Sequence, residues 1–558
     1  MKKLCFMIFV LILFPVVLAN SGSMKLMAVT NPDDNPRGSV ANMFLEIEEG
    51  TGRIFIDSYP LSKLDTQIST RFAKEVACNY LEKDCSRYDF FYTIRSDSSL
   101  IGGPSAGAAT TVLTMSVLEN IPLDDKATMT GTINTGGIIG PVGSIVEKTR
   151  AAAKSGIKKV LIPKFTDINS TNLTRLEEEL GIEIIEVSHI SEAAEEFTGK
   201  KFSNNNEVNL SNSYVEVMKS ISDDMCSRAK ELYEAYEKNN RTSQLIELGD
   251  KAINLSQHYS AASYCYGALL RIRQEKLKQE NLDKKKLQDL IENTLKRAQE
   301  FENSTNNKEL KTLTDLETFM AVSERIAESK ERLIDSLYEL SQNNTVSSIN
   351  HLAYATERLN SARSWSVFFG TQGREFKLDK EALDESCLKK VSEVEERVQY
   401  LDLYFPEGTK EARGSIQKAY GLYNKENPEL CLYTASIAKA KIDLILNSIS
   451  IDPDFTEEVI EDRLRIVKSL IAKQTERGIF PIVAYSYYEY ADSLKETDQY
   501  SALLYLEYAL ELGNLDIYFE KKQIKLPKIK QEYLPVFASG MLVGILLTMV
   551  LKRKKTKK

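Results

Sequence analysis

The sequence predicts an α+β domain followed by an all-α domain and one C-terminal membrane-spanning helix. Three observations carry this. Short β-type and short helical runs alternate over residues 24–200, helical periodicity takes over from Tyr214 to about Leu526, and an uncharged apolar run extends from Tyr533 to Leu551. A chain of 558 residues is also too long for one core, so two or more domains are expected.

Residues 1–19 open with Lys2 and Lys3, continue apolar from Leu4 to Leu18, and end with Val17 and Ala19 at the small-residue positions of a cleavage site, the pattern of a secretory signal peptide. In the first domain, Leu45–Ile47 and Arg53–Ile56 flank Glu49-Gly50-Thr51-Gly52 and predict a hairpin. Asp65–Leu81 reads as a helix, Asp89–Arg95 as a strand, and Pro104–Leu118 as a helix rich in small residues. Ala127–Ile133 and Ile138–Val142 read as strands around a glycine-rich turn, Ile145–Lys154 as a helix, and Lys159–Ile162 and Glu183–Val187 as strands. Residues 201–213 are polar and aperiodic, a linker. Beyond them Tyr214, Met218, Ile221, Met225, Leu232 and Tyr236 recur at helical spacing and open the second domain.

The run Tyr533–Leu551 is long enough to cross a bilayer, and Lys552, Arg553, Lys554, Lys555, Lys557 and Lys558 follow it. A leader first and a basic-flanked span last imply a single-pass membrane protein with a large extracytoplasmic N-terminal part and a cytoplasmic tail at 552–558. Without Cys5, six cysteines remain, Cys78, Cys85, Cys226, Cys265, Cys387 and Cys431; sequential neighbours would suit local bridges, and free buried thiols remain open. A net charge of -8 and a pI near 5.5 exclude a basic nucleic-acid footprint.

Two motifs carry chemistry. Gly102-Gly103-Pro104-Ser105-Ala106-Gly107 follows a strand and opens a helix, which sets a serine among unpaired backbone N–H groups able to hold an oxyanion. Gly140-Pro141-Val142-Gly143-Ser144-Ile145-Val146-Glu147-Lys148 leads into Ala151-Ala152-Ala153 and places a lysine on an alanine-rich helix. Taken in order with Met129-Thr130-Gly131 and Val160-Leu161-Ile162-Pro163, the motifs resemble the proteolytic domain of Lon proteases, nearly continuously from Gly102 to Pro163 and more weakly back to about residue 40.

That resemblance implies a Lon-type α+β fold for residues 24–200 and a serine peptidase with a Ser–Lys dyad. Ser105 maps onto the nucleophile, Lys148 onto its base, and Thr130 onto the threonine that orients the lysine; the N–H groups of Ser105 and Ala106 are the oxyanion candidates. Lysine acts as a base only when neutral, so its ordinary value near 10.4 must be lowered, and the apolar and small neighbours Ile145, Val146, Ala151 and Ala152 offer the desolvation. No metal or cofactor is required. The resemblance also implies a homo-oligomer.

Two departures stand out. Many relatives carry an acidic residue where this chain has Gly102, and no Gly-x-x-x-x-Gly-Lys-Ser/Thr loop occurs in the sequence. The expectation is a membrane-anchored, ATP-independent endopeptidase cleaving flexible or unfolded protein, its helical domain free to bind a membrane-protein partner. Two alternatives compete. Gly103-Pro104-Ser105-Ala106-Gly107 also fits the nucleophile elbow of α/β-hydrolases, with Asp167 and His189 as partners, though the 129–163 match is then unexplained. The other is a non-catalytic membrane-anchored scaffold built on a Lon-like domain.

Overall fold

Strand β2 (Arg37–Glu49) shows how the N-terminal sheet is specified. Ala41, Met43, Leu45 and Ile47 are buried while Asn42, Phe44, Glu46 and Glu48 between them face solvent, the two-residue period of a strand with one covered face. In β8 (Lys159–Pro163) Val160, Leu161 and Ile162 are all buried, as expected of a strand covered on both faces. The computed structural model describes residues 20–30, 36–59, 61–96, 103–166, 173–202, 208, 210, 212–236, 239–402, 405–448 and 453–519.

Seven strands form one sheet in the order β3-β4-β2-β1-β5-β8-β9, with β1 (Asn20–Thr30), β3 (Ile54–Tyr59), β4 (Tyr88–Ser96), β5 (Ala127–Met129) and β9 (Glu183–Val187). The pairs β1–β2 and β2–β4 are antiparallel, and β3–β4, β1–β5, β5–β8 and β8–β9 are parallel. Strands β6 (Thr132–Ile133) and β7 (Ile139–Gly140) pair separately as a short antiparallel ribbon. Helices α1 (Leu64–Leu81), α2 (Gly107–Glu119), α3 (Ile145–Lys154), α4 (Leu173–Leu180) and α5 (Ile190–Thr198) alternate with the strands. From Gly107 to Leu118 every residue of α2 is buried, and its Ala108, Val112, Leu113 and Met115 join Met43, Leu45, Phe90 and Tyr92 of the sheet in one core.

The expected hairpin at 45–56 is corrected, because β2 and β3 do not pair and β4 lies between them. Asp89, at the start of β4, accepts the N–H groups of Thr51 and Arg53 at 2.8 and 2.9 Å and ion-pairs with the Arg53 guanidinium. Gly50 and Gly52 donate to Arg87 and Tyr88. The turn is thus wrapped around the incoming strand, a long-range contact that local turn chemistry does not encode.

An all-α region follows. It comprises α6 (Asn212–Tyr236), α7 (Asn240–Asn254), α8 (His258–Gln279), α9 (Lys284–Asn306), α10 (Leu313–Ser341), α11 (Thr345–Trp365), α12 (Lys380–Asp402), α13 (Lys410–Asn424), α14 (Pro428–Ser448), α15 (Thr456–Glu476), α16 (Ile482–Leu494) and α17 (Gln499–Leu512). Tyr214, Met218, Ile221 and Met225 form the buried stripe of α6. Disulfides join Cys78 to Cys85, Cys226 to Cys265 and Cys387 to Cys431, resolving the open question of the cysteines as pairing between sequential neighbours.

The membrane-anchored topology is corrected. Among the described residues no helix is long and apolar enough to cross a membrane. Helix α14, long and apolar in mean character, carries Glu429, Lys439, Lys441 and Asp443, while α16 and α17 have 13 and 14 residues, short of the roughly 20 a span needs. The stretches assigned to a leader and a span, 1–19 and 533–551, and the tail at 552–558 lie outside the described residues. No helix among the described residues supports the single-pass localisation, the extracytoplasmic placement, the membrane as a partner or a membrane-protein partner for the helical region.

Candidate active site

Ser105 lies in the short 3-10 turn Pro104–Ala106 that leads directly into α2. The turn begins at Gly103, whose φ of 101° is open to glycine and strained for other residues. Pro104 then supplies a preset φ at the first helical position, where the missing N–H is not needed. Two hydroxyls on one face of α1 hold the turn from below: Thr66 donates to the Gly103 carbonyl at 3.5 Å and Ser69 to the Pro104 carbonyl at 3.3 Å. Ser105 itself is half-buried.

The Met-Thr-Gly segment runs off the end of β5 beside this turn. Thr130 is fully buried and its N–H donates to Leu161 of β8 at 3.1 Å. Gly131 donates to the Ser105 carbonyl at 2.9 Å, and Ala108 donates to the Gly131 carbonyl at 3.1 Å. A Cβ on Gly131 would come within 2.5 Å of Ile139 Cγ2, so the absence of a side chain permits this approach. The Thr130 hydroxyl donates to the Ser105 carbonyl at 3.3 Å and accepts from Lys148 Nζ at 3.5 Å. Lys148 is therefore linked through one threonine hydroxyl to the backbone of Ser105. Among the described residues no hydrogen bond joins Ser105 Oγ directly to Lys148 Nζ.

Lys148 sits one turn into α3, next to the buried Ile145 and Ala152, and is 3% exposed. Burial lowers its amine from the ordinary 10.5 to about 8. A position near the positive end of a helix dipole disfavours a cation in the same direction. Within the 3-10 turn the Ser105 N–H occupies a position that lacks an intrahelical acceptor, whereas the Gly107 N–H donates to Pro104. A half-buried hydroxyl, a dry amine of lowered basicity and a backbone N–H at the start of a helix can support acyl transfer.

The hydrolase alternative does not assemble. His189 is buried, and its Nε2 faces the Gly136 carbonyl at 2.7 Å, which requires Nε2 to be the donor. Its Nδ1 then accepts from the Ser191 hydroxyl at 2.7 Å and the Ser191 N–H at 3.2 Å, capping α5. Asp167 lies outside the described residues. The glycine-rich stretch 135–140 is a turn closed against the helical region, and the Asp443 carboxylate accepts from the Thr135 hydroxyl at 3.2 Å.

Three further groups bear on the site without any motif announcing them. Thr66 and Ser69 look like ordinary polar positions of α1, although their three-residue spacing does place them on one face. Arg397, which donates to the Ile133 carbonyl at 3.4 Å, comes from a helix more than 260 residues away in the chain, and no local signal could find it.

Residues 94–198 match the Lon protease (S16) C-terminal proteolytic domain. An archaeal Lon protease of Archaeoglobus fulgidus is 36% identical over 116 residues, which is 21% of this chain and 18% of that protein. A Lon protease of Mycoplasma mobile is 33% identical over 137 residues, 23% of this chain and 16% of that protein, and Lon protease 2 of Bacillus subtilis is 38% identical over 96 residues, 17% and 16% respectively. The match spans less than a fifth of these relatives' length. The N-terminal region is thus similar in part to the Lon proteolytic domain, and that similarity suggests a protease fold.

Proposed function

We propose that the N-terminal region is a serine peptidase in which Ser105 is the nucleophile and Lys148 its general base. The observation that carries this reading is the Lys148 amine, buried and lowered to about 8, one threonine hydroxyl away from the backbone of Ser105. Similarity of residues 94–198 to the Lon proteolytic domain supports it.

In the reaction, Ser105 Oγ attacks the carbonyl carbon of a peptide bond while neutral Lys148 takes the hydroxyl proton. The negative oxygen of the tetrahedral intermediate accepts from the N–H groups of Ser105 and Ala106. As the C–N bond breaks, Lys148 returns the proton to the departing amine, leaving an acyl ester on Ser105. Water, deprotonated by Lys148, hydrolyses that ester and restores the hydroxyl. Thr130 positions the amine throughout by accepting one of its hydrogens. The direct hydrogen bond from Ser105 Oγ to Nζ forms as substrate binds, a tightening common in sites whose hydrogen bonds are long before substrate arrives.

The test is digestion of casein or a flexible peptide by the full chain without nucleotide, together with Ser105→Ala and Lys148→Ala. Digestion and covalent labelling of Ser105 by a serine-reactive probe are expected in the wild type, with digestion lost in both variants. Equal digestion by all three proteins would remove the reading.

A further inference from the structure

Thr130 and Lys148, the pair on which the proposed chemistry depends, are joined by a loop that the helical region grips at three consecutive residues. Arg397 of α12 donates to the Ile133 carbonyl at 3.4 Å. The Asn134 side chain donates to Asn447 of α14. The Thr135 hydroxyl accepts from Lys439 Nζ at 2.5 Å and donates to Asp443 at 3.2 Å, both on α14. Just beyond, Leu510 of α17 packs where a Cβ on Gly136 would fall, at 2.8 Å, and His189 holds the Gly136 carbonyl.

These contacts belong to a buried charge cluster. Lys390, Lys439 and Arg397 supply three cations, and Glu393, Asp443 and Glu511 three carboxylates. Lys439 and Lys390 meet the two oxygens of Glu511 at 2.7 and 2.9 Å. Against burial, which opposes ionisation, those two ammonium groups hold the Glu511 carboxyl well below the usual carboxylate range. Arg397 and Asp443 meet at 3.3 Å as charges without hydrogen-bond alignment, and the Arg397 guanidinium also covers the Phe72 ring of α1 at 3.8 Å.

Buried ion clusters are weak stabilisers, because desolvation offsets most of the attraction; apolar side chains would join two regions at least as well. What directional charges add is register. The regions also meet elsewhere, through Lys473 on the Tyr80 carbonyl at 2.6 Å and Arg465 on Glu192 at 2.7 Å, so attachment does not depend on residues 133–135. Those residues lie three to five positions after Thr130, and the loop they open ends at Gly140, four residues before the cap of α3.

We propose that the helical region is a built-in positioning element of the Ser105–Lys148 site: Arg397, Lys439 and Asp443 fix residues 133–135 and so set where Thr130 meets Lys148. The inference rests on the peptidase reading above. These groups do not touch the reacting atoms; they act through Thr130. Loosening the loop lets water reach Lys148 and returns its amine toward the ordinary value, which a merely destabilising change elsewhere would not do.

The experiment uses the full chain and peptide hydrolysis followed across pH. Thr135→Val removes both hydroxyl contacts at nearly constant volume, Thr135→Ser retains them, and Glu393→Gln alters the same cluster at a residue that does not touch the loop. In Thr135→Val, kcat should fall about tenfold with KM within about twofold, and the midpoint of the kcat–pH profile should move up by about one pH unit. Thr135→Ser and Glu393→Gln should keep the wild-type midpoint. If Thr135→Val does not fold, Arg397→Gln is measured in its place against the same expectation. A wild-type kcat and midpoint in Thr135→Val, or an equal shift in Glu393→Gln, would overturn the positioning role while inactive Ser105→Ala leaves the peptidase reading intact. Full activity in Ser105→Ala would overturn both.

Discussion

On the proposed mechanism, replacing Lys148 by methionine should abolish hydrolysis and at the same time stabilise the fold, because both effects rest on the same buried amine. Lowering the amine from the ordinary 10.5 to about 8 makes its charged form costly in the folded state. With that value about 9% of the amine is neutral at pH 7, against roughly 0.03% for an ordinary lysine, so burial raises the neutral fraction about 300-fold. Activity should then climb about tenfold between pH 7 and pH 9 and level off above. The linkage sign is equally definite. Between about 8 and 10.5 the unfolded chain holds a proton that the folded chain has released, so stability rises with pH through that window. Below it the folded state carries a penalty of about 3 kcal/mol. Lys148→Met deletes that penalty, and at pH 7 its melting temperature should exceed the wild type by about 1–3 °C, the gain vanishing above pH 10.5. Lys148→Arg, whose charge cannot be shed, should be inactive and less stable than the wild type. Hydrolysis measured from pH 6.5 to 9.5 beside thermal unfolding decides the matter. A flat activity profile, or a Lys148→Met protein less stable than the wild type at pH 7, would refute the reasoning.

Thr130→Val keeps the site dry but removes the acceptor for the Lys148 amine, so kcat should fall about tenfold while the pH midpoint stays at or below about 8, and Thr130→Ser should restore the rate. An upward shift would mean that Thr130 acts by excluding water. Gly131→Ala drives a methyl to within 2.5 Å of Ile139 Cγ2 and 3.3 Å of Ala108 Cβ; denaturant unfolding should show a loss of about 1–3 kcal/mol, and unchanged stability would contradict the packing described. In the helical region Glu317 is buried, accepts the Val483 N–H at 2.9 Å, and is pushed up by desolvation to about 8. The folded state therefore binds the extra proton between about 4.5 and 8, and stability falls as pH rises through that window. Glu317→Gln should be more stable than the wild type by about 5 kcal/mol at pH 9, with the difference disappearing near pH 4.5; equal pH profiles would refute it.

Periodicity made most of the secondary structure legible. The alternation in β2, the continuous apolar run of β8 and the three- and four-residue spacing along α6 each follow from which side chains need burial. Strand order was not legible: the turn at 49–52 has the composition of a hairpin, yet Asp89 captures its N–H groups and inserts β4. The two halves of the candidate site stand out as motifs around Ser105 and Lys148, and the small residues about Lys148 already implied a dry amine. The spacing of Thr66 and Ser69 places them on one helix face, but their grip on the serine turn is not legible, since a helical hydroxyl looks the same whether it faces solvent or a carbonyl.

Taken alone, the sequence determined most of the helices and strands, the presence of chemically apt residue types at 105, 130 and 148, and the similarity of the N-terminal region to a proteolytic domain, because backbone preference, side-chain type and local spacing are carried by neighbouring residues. Tertiary structure alone decided that His189 caps a helix, that Cys387 bridges to Cys431, and that a six-charge cluster from the helical region closes on residues 133–135. Those outcomes depend on groups tens to hundreds of residues apart meeting in a medium of low polarity, where burial and directional charge set which partner each group keeps, and no local pattern encodes that meeting.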